Sequence, residues 1–316
     1  MKKVLSIILV GLMVLSLAAC GEKVEEPVSV PREAATPAPS NAIVGSYTLK
    51  AEYVPFEAAL INDVSNSPDM DVLGNTVYVS NGDTEIKMYT IDGAKLTYVK
   101  TVNVEDTGDV ISVDGNGKIY ADGGVFEAKI YDPETNASGE AVASGELTAS
   151  KNADFALTYF TGRETVTAIK DGVAGDWLIN GTAGLGKFES ISDINIVGDT
   201  VIIGGADSEN NIVAAFDIDG NQQMISSGSL AGSLPTAVVK TENGYVSASV
   251  DDMTFVNNEG GIIGEVDANE LFGLTNDTLW IYEMTPLADG SLLVLARLSK
   301  SYVIGDETVL FRVSGF

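Results

Sequence analysis

An all-β fold assembled from one repeated four-strand unit is what this sequence predicts, and three observations predict it. From about Tyr47 onward the chain is a succession of short runs rich in Val, Ile, Tyr and Thr, punctuated by Gly, Asn and Asp, with no convincing helical periodicity. A tight turn followed by an apolar strand recurs at Leu73-Gly74-Asn75, Asp114-Gly115-Asn116-Gly117, Asn152-Ala153-Asp154, Val197-Gly198-Asp199, Glu242-Asn243-Gly244 and Asp289-Gly290. A second turn leads into the last strand of each unit, at Asp92-Gly93, Asp132-Pro133, Asp171-Gly172, Asp219-Gly220, Glu259-Gly260 and Ser314-Gly315. Asp92 and Ser314 lie 222 residues apart over five intervals, a period of about 44. Four short strands every 40 to 45 residues or so describe a β-propeller blade. Six units make six four-stranded blades; seven blades or a β-sandwich are the alternative arrangements.

The chain opens on Lys2 and Lys3, then an uncharged apolar run from Val4 to Leu17, then Ala18-Ala19-Cys20. A basic start, a short apolar stretch and a small-residue cleavage site describe a secretory signal peptide over residues 1–19, whereas a spanning helix needs about 20 apolar residues. Leu17-Ala18-Ala19-Cys20 resembles the lipobox of bacterial lipoproteins. The resemblance implies that the Cys20 sulfur receives a diacylglyceryl group and that cleavage makes Cys20 the mature N-terminus. The protein is then exported and held to the cell membrane by lipid. In a Gram-negative host, Gly21 rather than Asp after the cysteine resembles the outer-membrane sorting pattern.

Residues 20–44 change character. Glu22, Glu25, Glu26, Pro27, Pro31, Pro37 and Pro39 sit among Ala, Ser, Val and Thr without hydrophobic periodicity. Such a stretch buries too little apolar area to offset its ordering entropy, and it reads as a flexible tether.

Residues 45–316 carry the blades. The strands after the first tight turn read Thr76–Val79, Lys118–Ala121, Phe155–Thr158, Thr200–Ile203, Tyr245–Ala248 and Ser291–Val294. Runs such as Val201-Ile202-Ile203 do not alternate, as expected of strands covered on both faces. The third unit, Ala153 to Trp177, is the least regular. The sixth unit stops after its third strand, Thr308 to Val313, while Ser46–Tyr53 is a strand-like segment belonging to no unit. This segment is expected to supply the missing strand and so hide an unpaired edge. The body thus resembles a β-propeller of the broad NHL- or quinoprotein-like kind, carried by a bacterial lipoprotein.

Charge and composition narrow the function classes. Removing residues 1–19 leaves 16 basic against 45 acidic residues, a net charge of −29. That charge repels phosphate backbones and anionic headgroups, so nucleic acid is excluded as a partner and membrane contact falls to the lipid. With Cys20 the single cysteine, no internal disulfide forms. The chain has no histidine, so no Ser-His-Asp or Cys-His arrangement and no histidine-bearing zinc site can be built. A pair of carboxylates suffices for glycoside hydrolysis, but 45 acidic residues guarantee such a pair by chance. A non-catalytic protein is expected, with no cofactor. Ca²⁺ is the candidate ion, because Asp217-Ile218-Asp219-Gly220-Asn221 and Asp207-Ser208-Glu209-Asn210-Asn211 place oxygen ligands on alternate residues. The same residues also make ordinary turns.

Two groups of residues are candidate binding sites. If the first strand of each blade lines the channel, Asp69, Asp71, Asp109, Asp193 and Glu283 gather around one mouth. Loops between second and third strands then bring Asp83, Asp122, Asp207, Glu209, Asp251 and Asp252 to the same face. Together they form an acidic mouth suited to a cation, a basic peptide or a polyamine. The loop Ser299–Asp306 of the last unit carries Lys300, Tyr302, Val303 and Ile304, a mixture suited to a protein contact. The leading functional expectation is an envelope-held binding or scaffolding module for an envelope or extracellular protein or peptide. Capture of an extracellular glycan or small cationic ligand comes second, and a hydrolase acting on envelope carbohydrate third.

Overall fold

The computed structural model describes residues 39–55, 68–80, 84–104, 110–122, 127–135, 137–162, 166–170, 173–177, 188–274, 278–299 and 307–316. Cys20 and the signal-peptide residues lie outside them. The described residues form six antiparallel sheets.

The chain enters through β1 (Ser40–Val44) and β2 (Tyr47–Val54), which belong to the last blade. Blade one is β3 (Asp69–Leu73), β4 (Thr76–Ser80), β5 (Glu85–Asp92) and β6 (Lys95–Asn103). Blade two is β7 (Val110–Val113), β8 (Ile119–Asp122), β9 (Glu127–Asp132) and β10 (Ala137–Ser144), and blade three is β11 (Glu146–Ala149), β12 (Phe155–Tyr159), β13 (Val166–Lys170) and β14 (Val173–Trp177). Blade four is β15 (Ser190–Val197), β16 (Thr200–Ala206), β17 (Asn211–Asp217) and β18 (Gln222–Ile225). Blade five is β19 (Ala237–Thr241), β20 (Gly244–Ala248), β21 (Asp252–Asn257) and β22 (Ile262–Asp267). A one-turn helix, α1 (Ala268–Leu271), capped by the Asp267 carboxylate, leads to blade six: β23 (Thr278–Pro286), β24 (Leu292–Ser299) and β25 (Glu307–Ser314). The architecture is the six-bladed propeller that the repeat predicts, and neither a seventh blade nor a sandwich.

The strand that completes blade six comes from the other end of the chain, as expected. β2 pairs antiparallel with β25, with Ala51 opposite Val313 and Tyr53 opposite Phe311. One boundary needs correction. The tether was drawn to residue 44, yet Ser40–Val44 forms β1, a fifth strand outside β2 in blade six. The reason is packing: Val44 is buried in the same cluster as Leu49 and Ala51, while Asn41 and Ile43 face out. Gly45, at φ +57°, makes the tight reversal between the two strands.

Packing explains the runs that do not alternate. Six apolar clusters fill the gaps between consecutive blades. Val201 and Ile203 point into the cluster shared with blade three, and Ile202 points into the one shared with blade five. Successive strand residues face opposite sides, so a strand with a neighbour on each side needs apolar residues at every position. Even the irregular third unit obeys this rule: Trp177 packs edge-on against Phe216 of blade four and donates its indole N–H to the Ile218 carbonyl at 3.0 Å.

A carboxyl-lined central channel

The first strands β3, β7, β11, β15 and β23, with Thr236 just before β19, surround a cavity of about 380 Å³. It is lined by Asp69 and Asp71 of β3, Glu146 of β11, Asp193 of β15 and Glu283 of β23. Lys151 also lines it, from the turn after β11, at the opposite end of that strand from Glu146.

Asp69, Asp71, Asp193 and Glu283 are held by main-chain N–H groups, whereas Glu146 accepts from the Thr161 hydroxyl. Asp69 accepts from Met70 N at 2.8 Å through Oδ1 and from Ile111 N of blade two at 2.6 Å through Oδ2. Asp71 repeats the pattern two residues on, accepting from Val72 N at 2.7 Å and Val113 N at 2.6 Å. It also takes hydrogen bonds from the Ser112 hydroxyl and the Lys151 ammonium. The Ser112 hydroxyl in turn accepts from Ala149 N of blade three at 2.8 Å. In blade four, Asp193 accepts from Val238 N of blade five at 2.7 Å and from the Tyr159 hydroxyl of blade three at 3.1 Å. Glu283 accepts from Met284 N at 2.8 Å and from the Asn195 side-chain amide at 3.4 Å.

The geometry has a structural cause. The inner strand of a blade has one edge without a strand partner, and its buried N–H groups need acceptors. A short acidic side chain on one inner strand reaches the N–H of the next, tying neighbouring blades. Burial away from water raises the carboxyl pKa values against the pull of these N–H donors. Burial pushes Asp69 up to about 8 and Asp193 to about 7. Glu283 is raised well above the ordinary Glu value, first by burial and then by the charges of Asp193 and Asp69. The Tyr159 hydroxyl is raised by burial and by Asp193.

The channel therefore contains Asp69, Asp71, Asp193 and Glu283 of the sequence candidates. Asp207, Glu209, Asp251 and Asp252 are not among its lining residues. The Asp207 carboxylate instead caps its own turn, accepting from Glu209 N at 2.9 Å and Asn210 N at 2.7 Å. Asp251 and Asp252 lie on the β20–β21 turn, where burial and then the charge of Asp251 raise the pKa of Asp252. The single acidic mouth expected from the sequence thus divides into an interior set and a rim set. Asp83, Asp109, Lys300, Tyr302, Val303 and Ile304 lie outside the described residues, as does the Asp122 side chain.

The Asp217 carboxylate, considered for Ca²⁺, closes a turn on Asn221 through the main-chain N–H at 2.7 Å and the side-chain amide at 2.8 Å. No group of three or more Asp, Glu, His or Cys side chains converges on a metal position among the described residues. Glu146, Lys151, Tyr159 and Asn195 belong to the channel although nothing local in the sequence distinguishes them.

On the mouth face, Trp280 and Leu234 are exposed, at 49% and 41%. They flank the same blade-five turn. Ile281 N, next to Trp280, donates to the Val250 carbonyl at 3.2 Å, and the segment carrying Leu234 lies with Gly232 against Ser249 and Asp252.

No protein-family model and no curated protein matches the chain. Among solved structures it is similar to the RRP9 WD40 repeats, with 10% identity, a TM-score of 0.54 and coverage of 88% of this chain and 100% of that one. It is also similar to U3-55K, with 9% identity, a TM-score of 0.53 and coverage of 78% and 79%. The WD40 propeller domain of Doa1 follows, with 12% identity, a TM-score of 0.50 and coverage of 79% and 93%. Two of these are named as WD40 propellers, not as the NHL or quinoprotein kind expected from the repeat. At such identities the likeness shows a WD40-like β-propeller fold and nothing finer.

Proposed function

We propose that this chain is an envelope lipoprotein whose propeller is a binding or scaffolding module for a protein or peptide partner, engaged through the mouth face. The observation that carries the reading is Trp280. It stands half-exposed at the start of an inner strand, with Leu234 across the blade-five turn and Asp251 and Asp252 between them. An exposed tryptophan beside an aliphatic residue, rimmed by charge, is the composition of an interface centre. The 300–306 segment follows Ser299, which pairs with Thr278, two residues before Trp280. The carboxyls of Asp69, Asp71, Asp193 and Glu283, each committed to a main-chain donor, support a binding role over carbohydrate hydrolysis. Lipid attachment rests on Leu17–Cys20.

The test is cross-linking of the tagged chain in its native host, wild type against Trp280→Ala and against a Gly-Ser replacement of 299–306. One dominant envelope protein recovered by the wild type and lost in both variants, with unchanged melting temperatures, supports the reading. Equal recovery by all three overturns it. Metabolic labelling with a fatty-acid analogue, lost in Cys20→Ser, tests the anchor separately.

A further inference from the structure

We propose that the central channel is a binding site for a small aliphatic diamine, its two ammonium groups serving the separate carboxyls of Asp69, Asp193 and Glu283. The proposal goes beyond the mouth-face reading and stands or falls without it. Three observations lead to it.

The first is charge. Among the described residues the one cation lining the cavity is Lys151, and it is paired with Asp71 at the far end. Glu146 of blade three, Asp69, Asp193 and Glu283 line the remainder. At about 380 Å³ the cavity falls within the roughly 300–1,000 Å³ typical of small-molecule sites.

The second is a set of hydroxyls without partners. Thr148 and Thr285 line the cavity and are only 7% and 6% exposed, and neither side chain makes a hydrogen bond among the described residues. The Ser192 hydroxyl, also in the wall, is enclosed and likewise unpaired. Buried hydroxyls are normally satisfied, and unpaired ones are unfavourable. Their place beside the carboxyls marks where a donor from a ligand belongs.

The third is spacing. The carboxyls are pinned to separate inner strands by main-chain N–H groups and do not converge as a metal requires. Two ammonium groups joined by methylenes can serve acceptors that stand apart, with the methylenes against Met70, Ile111 and Ile194 of the wall.

Proton linkage supplies a distinguishing signature. The groups facing the site are Asp69, Asp193, Glu283, Glu146 and the Tyr159 hydroxyl, with the Asp71–Lys151 pair beyond. Burial leaves Asp69, raised to about 8, and Asp193, raised to about 7, holding protons near neutrality in the empty channel. A dication displaces these protons, so its affinity rises with pH.

The experiment uses the full-length chain in mild detergent with putrescine as probe, 1,4-butanediol as its uncharged counterpart and Ca²⁺ as a metal control. Saturating putrescine is expected to raise the melting temperature by about 5 °C, with neither control doing so. Titration calorimetry in buffers of different ionisation enthalpy should show proton release and an affinity about tenfold higher at pH 8 than at pH 7. Glu283→Gln should weaken binding about tenfold. Thr285→Val deletes a hydroxyl that the fold does not use, so it should leave the free protein as stable as before yet weaken binding about fivefold. It decides the matter should Glu283→Gln fail to fold. No stabilisation by putrescine, equal stabilisation by butanediol or Ca²⁺, or wild-type affinity in Thr285→Val overturns the proposal.

Discussion

The Asp193 carboxylate of blade four accepts the main-chain N–H of Val238 in blade five at 2.7 Å. Asp69 makes the same contact with Ile111 between blades one and two, at 2.6 Å. A side chain thus does for the inner edge of the ring what strand pairing does elsewhere: it gives a buried N–H its acceptor. Covering that edge is as necessary as covering the outer one.

Removing the latch separates its two roles. Asp193→Ala leaves the Val238 N–H and the Tyr159 hydroxyl buried without an acceptor and is expected to cost about 2–4 kcal/mol in urea unfolding. Asp193→Asn keeps an acceptor oxygen and is expected to cost about 1 kcal/mol or less near pH 7. Equal losses in the two variants would show that the charge, not the acceptor, matters.

The pH dependence follows from the same groups, with an unusual sign. Asp69 and Asp193 have folded pKa values raised to about 8 and about 7, above the ordinary 3.8 of the unfolded chain. Between those values the folded protein holds protons that the unfolded chain releases. Stability is therefore full near pH 4 and declines as pH rises toward 8. Asp289 works in the opposite sense. Its carboxyl is held down to about 2 by the Ser291 hydroxyl and the Arg312 guanidinium, so its contribution is lost as pH falls below about 4. Urea midpoints should therefore peak on the mildly acidic side and fall by pH 9. Asp69→Asn, mimicking the protonated acid, should flatten the alkaline limb, and a midpoint that climbs from pH 5 to 9 would contradict the assignment.

The ring was legible because its signals are local and periodic. Asp-Gly and Asn-Gly turns recur about every 44 residues, and Val201-Ile202-Ile203 announces burial on both faces. The closing strand was legible because Tyr47–Val54 alternates without a partner of its own. β1 was not, because Ser40 and Asn41 follow a proline-rich stretch and the inward positions are only Ala42 and Val44. In the channel, Asp69 and Asp71 could be read as starting an inner strand. Lys151 and Tyr159 could not, since each reaches the channel from a turn or a second strand through a side chain whose direction depends on blade packing. Sequence position also brought Asp207 and Asp251 to the same face as the channel acids without revealing that they remain on its rim.

Lys151 and Asp71 provide a test by double mutant. The Lys151 ammonium donates to the Asp71 carboxylate and to the Val113 carbonyl. Lys151→Met strands a partly buried negative charge and is expected to cost about 2 kcal/mol at pH 7. Asp71→Asn keeps the acceptor for Val113 N, so the double variant should recover at least half of that loss. Strict additivity of the two single losses would show that the pair is not coupled.

The closure of the ring makes the last prediction. β2 is the only described link between residues 39–55 and the strands of blade six, and Leu49 and Ala51 point from it into the cluster between blades five and six. Leu49→Ala removes a fully buried side chain and should cost about 2–5 kcal/mol. Glu52→Pro adds a break in the β2–β25 ladder opposite Arg312 and should cost more. The two differ in consequence as well as size. The cavity variant keeps β25 covered and should unfold reversibly at a lower urea midpoint. The proline variant frees the edge of β25, whose Val309–Phe311 run is buried and apolar, and should aggregate on mild heating. Light scattering during a thermal ramp distinguishes the two. A proline variant that stays monomeric through its transition would mean that the β2–β25 pairing does not hold the ring closed.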